Sequence, residues 1–287
     1  MKSIFCFMLF LLGMTGLHAQ TTLQVVTKSI QNKINADGLK KFSLLAEGAD
    51  IELSGWNEKE IKITIQLITK NSSKETAVED LKAMKVVQEK IGNTYFIRNY
   101  LAIQKGDSKP TSNFKAKYII YLPKDLLLSV TNSFGDIRIK GIDANIQLNT
   151  KFCKTEIAAS HSSLDLDMYF GEMDIQSQLR EVKIKGDHAR IIMGVHPGSL
   201  EARLTSGYFY CEPAASNQSF RIITDKGEVK LKPQNLGSFG YIVSSEHSDL
   251  NLPENFKADK KKKNYNINPD KTSKIIININ YGILNIQ

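Results

Sequence analysis

Residues Thr131–Gly141 read TNSFGDIRIKG, a small turn residue with an acidic neighbour, followed by Ile137-x-Ile139. Related strings return at Phe170–Ile175 (FGEMDI), Lys226–Leu231 (KGEVKL) and Tyr281–Ile286 (YGILNI). Aligning them gives a template: apolar-x-apolar, four residues, a small residue, any residue, then apolar-x-apolar. It fits blocks that begin at Leu128, Ile146, Leu164, Val182, Leu200, Phe220, Tyr241 and Ile275. The first five starts are 18 residues apart, and the later gaps are 20, 21 and 34. A fixed period marks a repeat architecture and takes priority over any single motif.

Four columns of the template are predicted to face inward. They run from Leu128, Val130, Ile137 and Ile139 in the first block to Ile275, Ile277, Leu284 and Ile286 in the last, and Thr155 is their one member that is not apolar. The hydrophobic share of the whole chain is 41%, so the columns concentrate the apolar residues. The small column is Gly135, Cys153, Gly171, Ala189, Gly207, Gly227, Ser248 and Gly282. Period-two alternation implies strands, and the repeat implies that each coil stacks on the next as a solenoid. The predicted class is all-β: a single-stranded β-solenoid, taken as a right-handed β-helix of about 18 residues per coil, preceded by a β-rich cap.

The outward columns test this frame independently. One reads Asp136, Lys154, Glu172, Arg190, and another reads Asp165, Lys183, Glu201, Arg221. Signs alternate from coil to coil, as stacked strands require where like charges would otherwise stand opposite.

The chain opens MKSIFCFMLFLLGMTGLHAQ: a basic residue, a short apolar run and a small-residue exit. That is the layout of a secretory signal peptide, assigned to residues 1–19 with cleavage near Ala19 or Gln20. No other segment is long and apolar enough to span a bilayer, so the exported chain is not expected to be an integral membrane protein. The expected address is the periplasm or cell surface of a Gram-negative bacterium. Of three cysteines only Cys153 and Cys211 follow the leader, which excludes a disulfide-built scaffold. They sit three coils apart, on the order of 14 Å by strand spacing, and are expected as separate buried thiols. The net charge of +8 owes part of its excess to the run Lys257–Asn264, read as a solvated loop within an insertion at 253–273. Nucleic acid is excluded as a partner by the exported address.

Residues 20–125 are read as a β-rich N-terminal region with one short helix, and 126–287 as the solenoid. Residues 42–53 fit the template and are expected to form a coil-like strand pair. Residues 61–70 and 117–123 alternate as strands, and 85–101 read as two strands joined at Gly92-Asn93. Ser72 with Glu75 reads as a capping box for a helix over 76–84.

IELSGWNEKEIKITI, Ile51–Ile65, followed by YIIYLPKDLLLSVTNSFGDIRIKG, Tyr118–Gly141, and the repeated Gly-acid-apolar turns, resembles the bacterial putative adhesin family. That resemblance implies an exported β-solenoid, similar to auto-transporter adhesin heads, with no catalytic residues. Cys153, Ala189 and Ser248 depart from the family's turn glycine. The LHAQ ending of the leader also looks like exported proteins of Bacteroidetes-type bacteria.

Catalytic and metal chemistry find little support. Asp165 with Asp167, and Asp225 with Glu228, are the paired carboxylates that glycoside chemistry would need, but Lys183 and Lys185 stand one coil from the first pair. His161, His188, His196 and His247 are assigned to different coils, without ligand spacing. No Gly-x-Ser-x-Gly elbow occurs. Neither a catalytic residue nor a metal or cofactor is assigned. Phe134, Phe152, Phe170 and His188 precede the small residue in successive coils, with Tyr281 at the same point of the last block. They are the candidate binding surface, for a cell-surface glycan or an envelope protein. The competing reading, and the preferred one, is that the N-terminal region or the inserts cover this edge; Trp56 is likewise read as packing. The expected function is a non-enzymatic, adhesin-like binding or structural module of the envelope. The alternatives are a carbohydrate-active β-helix enzyme, or an envelope partner of a membrane signalling complex.

Overall fold

The computed structural model describes residues 22–103, 106, 108–159, 162–214, 218–256 and 263–287. The signal peptide, His161 and most of the lysine run lie outside the described residues. The described residues are all-β, with 69% strand and 6% helix, and their strands join in one long open sheet.

The regular part comprises β8 (Leu127–Lys140), β9 (Ile146–Ala158), β10 (Ser163–Ile175), β11 (Glu181–His196), β12 (Ser199–Pro213) and β13 (Ser219–Leu231). Each pairs in parallel with the next, and the columns become neighbours: Leu128 with Ile146, Ile146 with Leu164, Leu164 with Val182, Val182 with Leu200, and Leu200 with Phe220. Each four-column set is buried except Leu250 and Leu252, which are partly covered. A further inward column escaped the template. Asn132, Thr150, Met168, Gly186, Leu204 and Thr224 succeed one another on adjacent strands. Its mixed chemistry hid it. Asn132 is fully buried and donates from Nδ2 to the Ala49 carbonyl at 2.9 Å, so a polar side chain is tolerated there.

The spatial order departs from chain order at both ends. The last elements are β14 (Gly240–Glu246), β15 (Asp249–Asn251), β16 (Asn264–Ile267), β17 (Lys274–Asn280) and β18 (Ile283–Ile286). The sequence columns place the Tyr241 block next to Phe220. Instead Phe220 pairs with Ile275, and Tyr241 pairs with the far side of Ile275. The other half of the coil follows suit, with Val229 beside Leu284 and Leu284 beside Leu250. β16 then covers β14 in antiparallel register. Both blocks satisfy the same template, so period alone cannot rank them.

The N-terminal end is built the same way, from β1 (Gln24–Asn35), β2 (Lys41–Glu47), β3 (Ala49–Trp56), β4 (Glu60–Asn71), α1 (Lys74–Ala83), β5 (Met84–Ile91), β6 (Thr94–Leu101) and β7 (Asn113–Pro123). β2 and β3 stack on β8 as the coil-like pair expected from the template, with Phe42 beside Leu128 and Ile51 beside Ile137. On their other side lie β6 and β7, through Phe42–Tyr95 and Ile51–Tyr118. β4 and β1 continue antiparallel from β7, and β5 from β6 across the Gly92-Asn93 turn. The helix cap falls one residue later than the sequence suggests. Ser73 rather than Ser72 accepts the Thr76 N–H, at 3.1 Å, and bonds Glu75. The hydrogen bonds at Glu75 hold its carboxyl below the usual range.

Candidate functional site

Every coil turns at one corner, and the corner sets the site. Phe134, Phe152, Phe170, His188, Ser206, Lys226, Tyr281 and His247 all have left-handed backbone, with φ between 46° and 64°. The small residue follows each. A Cβ on Gly135 would lie 2.1 Å from the Ala49 carbonyl oxygen, and one on Gly207 2.2 Å from that of Ala189. The chain therefore turns so tightly that its own neighbour fills the space, which is why this column is small. Left-handed backbone costs a residue with a Cβ on the order of 1–2 kcal/mol. The corner belongs to the architecture, but aromatic residues there are a choice of the sequence.

Those aromatic residues stack. Phe134 and Phe152 have centroids 5.1 Å apart and planes 4° from parallel, Phe152 and Phe170 5.5 Å and 19°, Phe170 and His188 4.5 Å and 6°. The preferred sequence reading, a covered edge, is not what the fold presents. Phe134, Phe152 and Phe170 are 56%, 48% and 37% exposed. Among the described residues, neither the N-terminal strands nor the C-terminal insertion covers this corner; the described parts of both pack at the ends of the stack. Tyr169, absent from the sequence reading, extends the ridge edge-on to Phe152 and Phe170. Its place on the strand before the corner is visible in the repeat, but only the exposure of the ladder makes it count. A second, shorter stack joins Tyr281 to His247, centroids 4.9 Å apart.

The ridge is flanked by charge. On one side Asp136 stands opposite Lys154, Lys154 opposite Glu172, and Glu172 opposite Arg190. Lys154 and Glu172 nonetheless form no ion pair among the described residues. Arg190 lies over the Tyr208 ring at 4.6 Å. On the other side are Ser133, Lys151, Tyr169 and Asp187, and Asp187 bonds His188 Nδ1 at 2.7 Å.

The carboxylates that could have served catalysis are matched with donors or cations. Asp165 and Asp167 lie opposite Lys183 and Lys185. The Lys183 ammonium is held above its ordinary range chiefly by Glu181, with smaller help from Asp165 and Glu201. Asp225 accepts from Asn280 at 3.1 Å, and Glu228 from Asn285 at 3.1 Å. A groove of about 700 Å³ near this turn is lined by Asp167, Lys185, Arg203, Asp225 and Glu246 among others. Its two cations, Lys185 and Arg203, are neighbours on one column, while Asp187, Asp225 and Glu246 lie on the next, with Asn280 between the last two.

The remaining candidates are structural. The sequence reading puts His188 and His196 on different coils, yet both lie on β11, His188 at the exposed corner and His196 fully buried edge-on to Phe220. His196 Nε2 pairs with the Ser199 carbonyl at 3.2 Å while Nδ1 has no partner, and burial lowers its pKa. Cys153 and Cys211 are separate buried thiols, both pushed up by desolvation. Trp56 donates to the Glu60 carbonyl at 2.8 Å and leans on Tyr121, a packing role.

An all-β stack with an exposed aromatic corner is the class that fold and site define. Residues 39–286 match the Toastrack DUF4097 family, and the chain therefore belongs to it. This agrees with the resemblance to the putative adhesin family, whose function is unknown. Among solved structures it is similar to a putative adhesin from Parabacteroides merdae ATCC 43184 (7% identity, 92% of this chain and 96% of that one, TM-score 0.39). It is also similar to a putative adhesin from Bacteroides fragilis NCTC 9343 (13% identity, 91% and 97%, TM-score 0.35). It is similar too to a putative lipid binding protein from Parabacteroides distasonis ATCC 8503 (13% identity, 91% and 96%, TM-score 0.30). These superpositions are loose, and the family assignment rests on the sequence match. No curated protein matches the chain. No helix among the described residues is long and apolar enough to cross a membrane.

Proposed function

We propose that this chain is a non-enzymatic, adhesin-like binding module of the cell envelope, and that the ladder Phe134–Phe152–Phe170–His188 is its binding surface. Residues 1–19 direct export to the periplasm or surface of a Gram-negative bacterium. Residues 20–125 close one end of a right-handed solenoid, which residues 126–287 build at about 18 residues per coil. The partner is a cell-surface glycan or an envelope protein.

The exposed ladder carries this reading. Single exposed apolar residues are ordinary, but a contiguous row of them on a soluble surface marks a contact site. Four coils bear the cost of left-handed backbone under large rings, where glycine or asparagine would fit without strain. The test is sedimentation of the purified chain with isolated envelopes. Phe152→Asn with Phe170→Asn, both compatible with the corner backbone, should abolish co-sedimentation. Asp165→Asn with Asp167→Asn should leave it intact, and the opposite pattern would overturn the proposal.

A further inference from the structure

We infer that the partner of the aromatic ladder is a second copy of this chain, docked antiparallel about a two-fold axis between Phe152 and Phe170. This deepens the reading of the ladder as a binding surface and rests on it.

The geometry of the rings narrows the occupant. Phe134, Phe152, Phe170 and His188 lie face against face at 4.5–5.5 Å between centroids. Inserting a further ring between two of them would need roughly 3.5–4.0 Å on each side. The four stacked rings therefore offer edges rather than faces between one another. A sugar that packs its flat face on an aromatic ring finds no seat between the stacked rings. A partner with a matching apolar ridge meets those edges instead.

Charge complementarity then selects the copy and its direction. The column beside the ridge reads Asp136, Lys154, Glu172, Arg190, alternating in sign over an even number of coils. Reversed end to end, such a column is its own complement. A two-fold axis across the ridge at its midpoint sets Asp136 against the other copy's Arg190, and Lys154 against the other copy's Glu172. The same operation brings Lys151 to Tyr169 and Ser133 to Asp187 on the other flank. With the two-fold axis along the ridge instead, Lys151 would face Lys154. Lys154 and Glu172 have no ion pair of their own among the described residues, and Asp50, the next acid beyond Asp136, is already bound by Lys115 at 2.7 Å. Identical patches meeting about a two-fold axis form the isologous contact that most small oligomers use. The ridge spans three strand intervals, roughly 14 Å, so the contact belongs to the small, transient class below roughly 1,200 Å².

Sedimentation velocity on residues 20–287, which hold every described element, tests this from low micromolar to several hundred micromolar concentration. A concentration-dependent monomer–dimer equilibrium is expected, weakened at least about tenfold by Phe152→Asn with Phe170→Asn, as for central contact residues. Glu172→Lys alone and Lys154→Glu alone should each lower dimer formation, since each sets like charges across the axis. Their equimolar mixture should restore it as a heterodimer, because one copy then carries only basic side chains at positions 154 and 172 and the other only acidic ones. A chain monomeric throughout, or a dimer indifferent to these charges, overturns the inference. Envelope binding by a strictly monomeric chain would do so while leaving the ladder a binding surface.

Discussion

Ile277 lies between Ile222 on one side and Val243 on the other, although Val243 precedes it in the chain. All three are essentially inaccessible to solvent. Ile277→Ala should therefore cost about 2–5 kcal/mol, the range for truncating a packed core residue. Leu252→Ala, at a partly covered position of the displaced block, should cost clearly less. Urea unfolding of the two variants checks the exchanged order, since in a stack running in chain order the Ile277 block would be the outermost coil.

The corner should be tolerant at one residue and intolerant at the next. Gly207 has φ of 119° and its absent Cβ points at the Ala189 carbonyl, so Gly207→Val should destabilise by at least about 1–3 kcal/mol. Phe152→Asn next to the same kind of turn should leave the melting temperature nearly unchanged, because asparagine accepts left-handed backbone and the lost ring is half exposed. Thermal denaturation followed by circular dichroism reads both.

Burial lowers the pKa of His196 below its ordinary value near 6.5. The unfolded chain then binds the proton more readily than the folded one. Stability from this group is complete above about pH 6.5 and is lost as pH falls below it toward the folded-state value. Between pH 7 and pH 5 the native chain should lose more stability than His196→Leu, and the difference between their urea midpoints isolates the group. Equal slopes would mean that His196 is accessible to water.

Cys211 has no exposed surface and Cys153 almost none, and both thiols resist ionisation. With residues 20–287, an aromatic disulfide reagent should find no fast thiol in native buffer. Both should react after unfolding in guanidinium. Rapid native labelling at Cys153 would mean that the corner beside Phe152 opens.

Much of this was legible in the letters because burial imposes period two and stacking imposes a constant interval. Leu128, Ile146, Leu164, Val182 and Leu200 gave the stack, and Asp136 opposite Lys154 is the independent check that the register required. The Gly92-Asn93 hairpin was equally plain, since only a few residues make that turn. What stayed hidden was order and exposure. Tyr241 and Ile275 carry the same pattern, and nothing local says which one meets Phe220. Phe134, Phe152 and Phe170 could be placed in a column, but whether another segment covers them depends on where both ends of the chain travel. Asn132 and Thr150 were invisible as core because a polar residue reads as surface until the fold shows it buried.

The exchanged ends make the assembly a plait rather than a pile of rungs. Strand β14 has no parallel neighbour until residues more than one coil further along have been delivered and wedged beside β13. A chain threaded through a membrane pore from its N-terminus would therefore hold β14 and β15 open until β17 and β18 emerged. Such a latch cannot be lengthened by simply appending rungs, so evolution could add coils only in the middle, between β8 and β13.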